Sequence, residues 1–376
     1  MITGASGFIG TRVVALLNRE LGDEENGGVP QLPGMVHVLV RATSDLMPLA
    51  QASRNLRVND RVRFCFSDLG SLEDLRRVVS PQTTVVLHVA AQGGDWGRRG
   101  DFVTANETGT ENLIRVLREQ CPRLRRFVHV STVDVYPHAL RPAQCSEEVA
   151  PVTDSHYPYT VTKAESERIV MRSGLPEWCI LRPAVVYGPR SYSWGYQEAQ
   201  ILARGGGVFI DGSNYRSGAV YVDDVADAIV RAARAPVERI QGKIMNLADP
   251  QGAGTWKEFY DRISDALGRP RVRWSVPRWL ALALAWLLES LYTLCRWYDE
   301  RPFFTFFLLR LIGQDQDWPI EAAHEALGWK PSMPFEVGMH ATTEWLREVV
   351  LPSSDLQLPV VGAEQMQDAG QTTKDE

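Results

Sequence analysis

Thr3-Gly-Ala-Ser-Gly7-Phe-Ile-Gly10 decides how the rest of the chain is read. Three glycines at this spacing open a run with apolar Val13, Val14, Leu16 and Leu17, which predicts a tight turn from a strand into an amphipathic helix. Glycine permits the turn, lets backbone N–H groups reach a pyrophosphate, and lets the helix lie close on its sheet. Gly4, Ser6, Gly7, Phe8, Ile9 and Gly10 are therefore candidates to cradle a dinucleotide. A lone Gly-rich string would be an ordinary turn, so the reading depends on the remainder of the chain. Only Met1 and Ile2 precede Thr3. The leading strand is then either unusually short or clipped by a misplaced start, and we favour the second, because a central parallel strand is costly to lose.

Working outward, short apolar runs alternate with helical patterns. Val36–Val40, Arg61–Phe66, Thr84–Val89, Phe127–Val130 and Cys179–Leu181 read as strands, and Glu111–Glu119 and Lys163–Met171 as helices. Residues 22–34 form a polar, Gly/Pro-rich surface insertion. This alternation predicts an α/β fold, a Rossmann-like doubly wound parallel sheet over residues 1–190. The rhythm then changes. Val220–Ala233 reads as a short strand entering a helix, Lys243–Leu247 as a strand and Lys257–Leu267 as a helix. We expect a smaller, mixed C-terminal substrate lobe over 191–351, with core elements returning around 218–250. The stretch 352–376 is polar with few aromatics and is expected to be a disordered tail.

Composition narrows the function. The chain has 376 residues, 44% hydrophobic and 23% charged, enough for an ample core. A formal net charge of -6 offers no basic field for nucleic acid. Cys65, Cys121, Cys145, Cys179 and Cys295 are scattered without a Cys-x-x-Cys pair, which reads as reduced thiols in a cytoplasmic protein. The seven histidines show no metal-ligand spacing, so no metal is expected.

The chemistry lies in Tyr159-Thr-Val-Thr-Lys163. Residues i and i+4 share a helix face, so the ammonium can sit beside the phenol and lower a pKa ordinarily near ~10. Such a tyrosine can give or take a proton at a carbinol oxygen. Ser131-Thr132 lies just after a strand at the carboxyl edge of the sheet, where open α/β sheets bind ligands, and its hydroxyl can meet the same oxygen. Arg41 closes the second strand, where an acidic residue would receive the ribose hydroxyls of NAD; an arginine there favours NADP, with NAD the alternative. Asp68 comes after the third strand and reads either as an adenine-amine acceptor or as a helix N-cap. Ala90 and Ala91 end a strand with small side chains where a cofactor backbone must pass. Asn106 opens the next helix as a cap or as a buried organiser of the site.

In this order the motifs resemble the extended short-chain dehydrogenase/reductase superfamily, the NAD-dependent epimerase/dehydratase-like group. They are the glycine loop, Asp68-Leu69, Asn106 with Gly109-Thr110, Ser131-Thr132 with Val135-Tyr136, Tyr159/Lys163, Leu181-Arg-Pro183 with Tyr187-Gly-Pro189, and Tyr221-Val-Asp-Asp224. The resemblance covers roughly residues 1–350. It implies that Thr132 rather than Ser131 is the catalytic hydroxyl, that Leu69 joins Asp68 at the cofactor, and that Pro183 sits over the nicotinamide. Ala90-Ala-Gln-Gly-Gly-Asp-Trp-Gly97 and the segment Glu321–Pro331 look like the 3β-hydroxysteroid dehydrogenase-like branch, which includes reductases of long-chain β-keto acids. The short first strand, the insertion at 22–34 and Arg41, where that branch often has Asp, depart from the pattern.

Two apolar stretches, Trp279–Cys295 and Phe303–Ile312, bear on the substrate. They read as a buried helix or a lipid-binding lid, or as a membrane-surface anchor with interfacial Trp279, Trp286, Trp297 and Tyr298; a spanning helix is the weakest reading. The expectation is an NAD(P)-dependent oxidoreductase interconverting a secondary alcohol and a ketone on an apolar small molecule, a sterol or a long-chain β-keto acid. Thr132, Tyr159 and Lys163 would be its catalytic residues. The alternative is a nucleotide-sugar epimerase or dehydratase with tightly held NAD, whose substrate would want polar, cationic walls. By analogy with the superfamily a homodimer is expected.

Overall fold

A computed structural model of the chain describes residues 1–24, 35–53 and 62–350. Most of the insertion at 22–34, Arg61 and the tail 352–376 lie outside the described residues. The first half runs β1 (Ile2–Thr3), α1 (Phe8–Glu24), β2 (Val36–Val40), α2 (Met47–Ser53), β3 (Val62–Phe66), α3 (Leu72–Val78), β4 (Val85–His88), α4 (Arg99–Phe102), α5 (Gly109–Gln120), β5 (Arg126–Val130), α6 (Pro158–Met171) and β6 (Trp178–Pro183). It continues through β7 (Val186–Tyr187), α7 (Glu198–Ala203), β8 (Phe209–Ile210), β9 (Val220–Tyr221), α8 (Val222–Arg234), α9 (Val237–Ile240), β10 (Lys243–Leu247) and α10 (Trp256–Ala266). The last elements are β11 (Ser275–Val276), α11 (Arg278–Leu294), α12 (Phe306–Ile312), α13 (Glu321–Leu327) and α14 (Phe335–Val350).

Seven of the strands form one sheet in the order β3-β2-β1-β4-β5-β6-β10, every pair parallel. This is the doubly wound, Rossmann-like order, and its direction reverses between β1 and β4. Strand pleating explains why the apolar runs are nearly continuous. Val38, Leu87, Val128 and Leu181 face a core built with α1 and α8, while their neighbours Leu39, Val86, Phe127 and Ile180 face a second core built with α3 and α5. β1 has two residues, yet both are paired on each side, Ile2 with Val38 and Leu87, Thr3 with Leu39 and His88.

The helix carrying Tyr159 and Lys163 is fixed to the sheet by a fully buried ion pair. Arg182 of β6 donates to Glu167 of α6 at 2.9 and 2.6 Å, and the guanidinium lies 4.6 Å from the ring centre of Tyr136. Truncating one partner of such a pair typically costs ~3–5 kcal/mol, because the other charge is left buried. Asp224 plays a similar part on α8, accepting from Ser332 and Met333, while Trp329 donates to its carbonyl. The Leu-Arg-Pro and Val-Asp-Asp motifs are thus structural joints.

Beyond the sheet, α7, α10, α12 and α14 share an aromatic-rich core around Trp256, Phe259, Tyr187 and Phe335. The two apolar stretches part company here. Leu309, Leu311 and Ile312 of α12 are buried, as a core helix requires. On α11 only Ala281 and Ala285 are buried, and Trp279 and Trp286 are 70% and 64% exposed, which corrects the buried-helix reading for that stretch. Its apolar residues run round the helix, but one edge alone meets the fold. Among the described residues no helix is long and apolar enough to cross a membrane.

Candidate active site

The loop after β1 and the ends of β2 to β6 open into one cavity of about 610 Å³ at the reversal of strand order. Gly4 has φ +67°, and a Cβ there would lie 2.7 Å from the backbone of Ala90; a Cβ on Gly10 would lie 2.1 Å from the carbonyl oxygen of Gly4. The glycines are therefore required by close backbone packing. That packing brings the free N–H groups at the start of α1 to the cavity, a setting suited to a pyrophosphate. Ser6, Gly7, Phe8 and Ile9 line the cavity with them, as do Arg41, Asp68, Leu69, Ala90 and Ala91. These residues fit a nicotinamide dinucleotide, which when bound supplies or accepts a hydride.

Arg41 is exposed at the rim, its N–H held by the Ser44 hydroxyl at 3.2 Å. Asp68 is exposed and accepts from Gly70 N–H at 2.8 Å, so it shapes its own turn and also lines the cavity. Asn106 is an organiser: it exchanges hydrogen bonds with the backbone of Gln92 at 2.8 and 3.0 Å and donates to Thr162 at 3.0 Å. Pro183 is buried at the end of β6, and the wall at that point is formed by Ala184, Val185 and Val186 instead.

Thr132, Tyr159 and Lys163 meet at the inner end of this cavity. Their electrostatics differ from the expectation drawn from spacing. Burial pushes the Lys163 ammonium down to about 8, and its hydrogen bonds go to the Val130 carbonyl at 2.8 Å and His129 Nε2 at 3.5 Å. The Tyr159 phenol is raised, first by desolvation, then by the charge of Asp134; a hydrogen bond with Thr132 opposes both. Lys163 does not lower the phenol in this geometry, because its charge is directed at the end of β5. Below it lie His129 and His88, both held neutral by burial and by the lysine.

Asp134 was not among the residues expected at the site, although a carboxylate two positions after Thr132 was a usable signal. The Thr132 hydroxyl donates to Asp134 Oδ2 at 2.9 Å, and the Asp134 N–H donates to the Thr132 oxygen at 3.1 Å. A hydroxyl has one proton, so Thr132 cannot donate to a substrate while it donates to a carboxylate. Burial raises the pKa of Asp134, against Thr132 and Arg310, which lower it. In its neutral form Asp134 can donate to Thr132 and free the threonine proton for the reacting oxygen. Asp134→Asn leaves the desolvation of the phenol in place and removes the lesser influence that raises it, the carboxylate charge. Tyr159 should then titrate roughly one pH unit lower, read by ultraviolet titration against Tyr159→Phe; an unmoved midpoint would refute this coupling.

The cavity is also more polar than expected. Asp95 pairs with Arg301 at 2.7 Å and accepts from Thr305 at 2.8 Å, and Glu198 accepts from Tyr260 at 3.0 Å. These groups come from separated segments and have no local signature in the sequence. Among the described residues no cluster of side chains could hold a metal ion.

The model of the NAD dependent epimerase/dehydratase family matches residues 1–248. The chain is 27% identical over 274 residues to 3beta-hydroxysteroid-dehydrogenase/decarboxylase isoform 1 of Arabidopsis thaliana, covering 69% of this chain and 61% of that protein's length. It is 28% identical over 279 residues to 2-alkyl-3-oxoalkanoate reductase of Stenotrophomonas maltophilia, covering 72% and 83%. Among solved structures, UDP-glucuronic acid 4-epimerase of Bacillus cereus with NAD superposes with a TM-score of 0.64 at 22% identity, over 92% of this chain and 98% of that one. The dTDP-glucose 4,6-dehydratase DesIV of Streptomyces venezuelae, with NAD, gives 0.65 at 22%, over 95% and 99%. These two show the shared fold. The sequence match runs from the glycine loop to the end of β10 at the sheet's edge, and the chain belongs to the NAD dependent epimerase/dehydratase family.

Proposed function

We propose that the chain is an NAD(P)-dependent oxidoreductase interconverting a secondary alcohol and a ketone on a largely apolar small molecule, of the sterol or long-chain β-keto acid type. The observation that carries the reading is that Thr132, Tyr159 and Lys163 share one cavity with the dinucleotide loop. In ketone reduction the neutral Tyr159 phenol donates its proton to the nascent alkoxide, and its raised pKa keeps it protonated at neutral pH. With Asp134 neutral and donating to it, Thr132 turns its own proton to the carbonyl and polarises it. Lys163, turned from the Val130 carbonyl, would hold the nicotinamide ribose and bring its charge beside the phenol. The sequence relatives are named as a hydroxysteroid dehydrogenase/decarboxylase and an oxoalkanoate reductase, which supports a net redox reaction.

Arg41 on the cavity rim favours NADP, the 2′-phosphate pairing with its guanidinium. The test is a substrate screen of sterol ketones and β-keto acids with NADPH and NADH, repeated with Arg41→Asp. NADPH should be preferred, and the preference should fall by roughly tenfold or more in the variant, the worth of one lost charge-assisted contact. A preference that survives the change refutes the role of Arg41. Oxidation of neither coenzyme with any ketone refutes the proposed reaction.

A further inference from the structure

Next to the catalytic cavity lies a second one of about 350 Å³. Ile201, Phe209, Val272, Phe304, Leu308 and Ile312 give it aliphatic and aromatic surface, beside the polar side chains of Gln200, Arg204 and Tyr292. The two cavities have Gln197, Glu198 and Arg301 in common, so they meet at a neck between these side chains. The two charged groups of the neck bond to the protein itself: Glu198 to Tyr260 at 3.0 Å, and Arg301 to Asp95 at 2.7 Å. A ligand passing between them need not supply a charge. Space points the same way. The catalytic cavity, at about 610 Å³, has the volume of a single drug-sized ligand's site, yet must take a dinucleotide beside the reacting group.

Resting on the oxidoreductase reading above, we propose that the second cavity is the tail site of the same substrate. An unbranched aliphatic chain attached to the reacting carbinol or ketone passes the neck and lies among Ile201, Val272 and Leu308. This selects a flexible acyl chain over a sterol. A methylene chain is narrow and bends through a polar constriction, whereas a fused-ring plate needs an opening as wide as itself.

The experiment measures kcat/KM with NADPH for a homologous series of straight-chain 3-oxoacyl substrates, in the wild type and in Ile201→Trp and Val272→Trp, two half-buried wall positions whose folding is checked by melting. In the wild type, kcat/KM should rise by roughly fourfold per methylene once the chain passes the neck. In both variants the rise should stop there. Binding of cis-parinaric acid, a fluorescent fatty-acid probe, gives a readout free of turnover: it should bind the wild type and bind each variant at least about tenfold more weakly. Equal slopes and equal probe affinity in all three proteins would overturn the tail site. So would a higher kcat/KM for a sterol ketone than for any chain, or displacement of the probe by UDP, which would assign the cavity to a nucleotide. Probe binding that the tryptophans abolish, with no substrate turned over, would sustain the tail site and refute the oxidoreductase reading.

Discussion

Tyr159→Phe is expected to lower kcat by roughly 10²–10⁴-fold, the usual worth of a positioned general acid, while coenzyme affinity stays near the wild-type value. The ring stays and the proton goes. Tyr159 sits half-buried on α6, whose attachment to the sheet runs through Glu167 and Arg182 rather than through the phenol, so the variant should keep its fold. The loss should fall on kcat and kcat/KM alike, because the proton moves only in the transition state. Stopped-flow coenzyme oxidation with fluorescence titration of bound NADPH separates the two quantities. A variant that keeps more than about a tenth of the wild-type kcat would remove Tyr159 from the role of proton donor.

The second large effect lies at the other end of the cavity. Gly10→Ala places a methyl group 2.1 Å from the Gly4 carbonyl oxygen and 2.8 Å from Ala5 Cα, both backbone atoms that no side-chain rotation can clear. The turn must open and α1 must move off the sheet. Overpacking of this kind typically costs about 1–3 kcal/mol, and the displaced N–H groups at the start of α1 should cost coenzyme affinity at least tenfold more, about 1.4 kcal/mol. Thermal melting with and without NADPH measures both: the apo midpoint falls, and the rise on adding coenzyme shrinks. A variant stabilised by NADPH as much as the wild type would mean that the loop does not hold the pyrophosphate.

The sheet was legible because parallel central strands are buried on both faces and read as unbroken apolar runs. Val36–Val40 and Lys243–Leu247 match to the residue and the other long strands of the sheet to within one or two at their ends, whereas the two-residue strands β7, β8 and β11 carry too few apolar positions to be read. The glycines were legible for a different reason: a Cβ at Gly4 or Gly10 has no room, so the spacing itself reports the backbone contact. Electrostatics could not be read the same way. Helical spacing puts Lys163 one turn from Tyr159, but a buried ammonium takes the strongest acceptor within reach, here the Val130 carbonyl. Asp95, Glu198 and Arg301 meet only after the fold brings three distant segments together, so an apolar substrate wall was expected where a bonded polar neck stands. The exposed Trp279 and Trp286 show the same limit, since apolar content alone does not say which face of a helix is covered.

The central claim is a net hydride transfer to a ketone in the cavity that holds Thr132, Tyr159 and Lys163. Its most direct test is isotopic. With NADPH carrying deuterium at nicotinamide C4 on the transferred face and a long-chain β-keto acid, one deuterium should appear at the carbinol carbon of the released product for each coenzyme oxidised, read by mass spectrometry, and none with Tyr159→Phe on the same timescale. Retention of the deuterium on the coenzyme while a nucleotide sugar is epimerised, with no net oxidation, would contradict it.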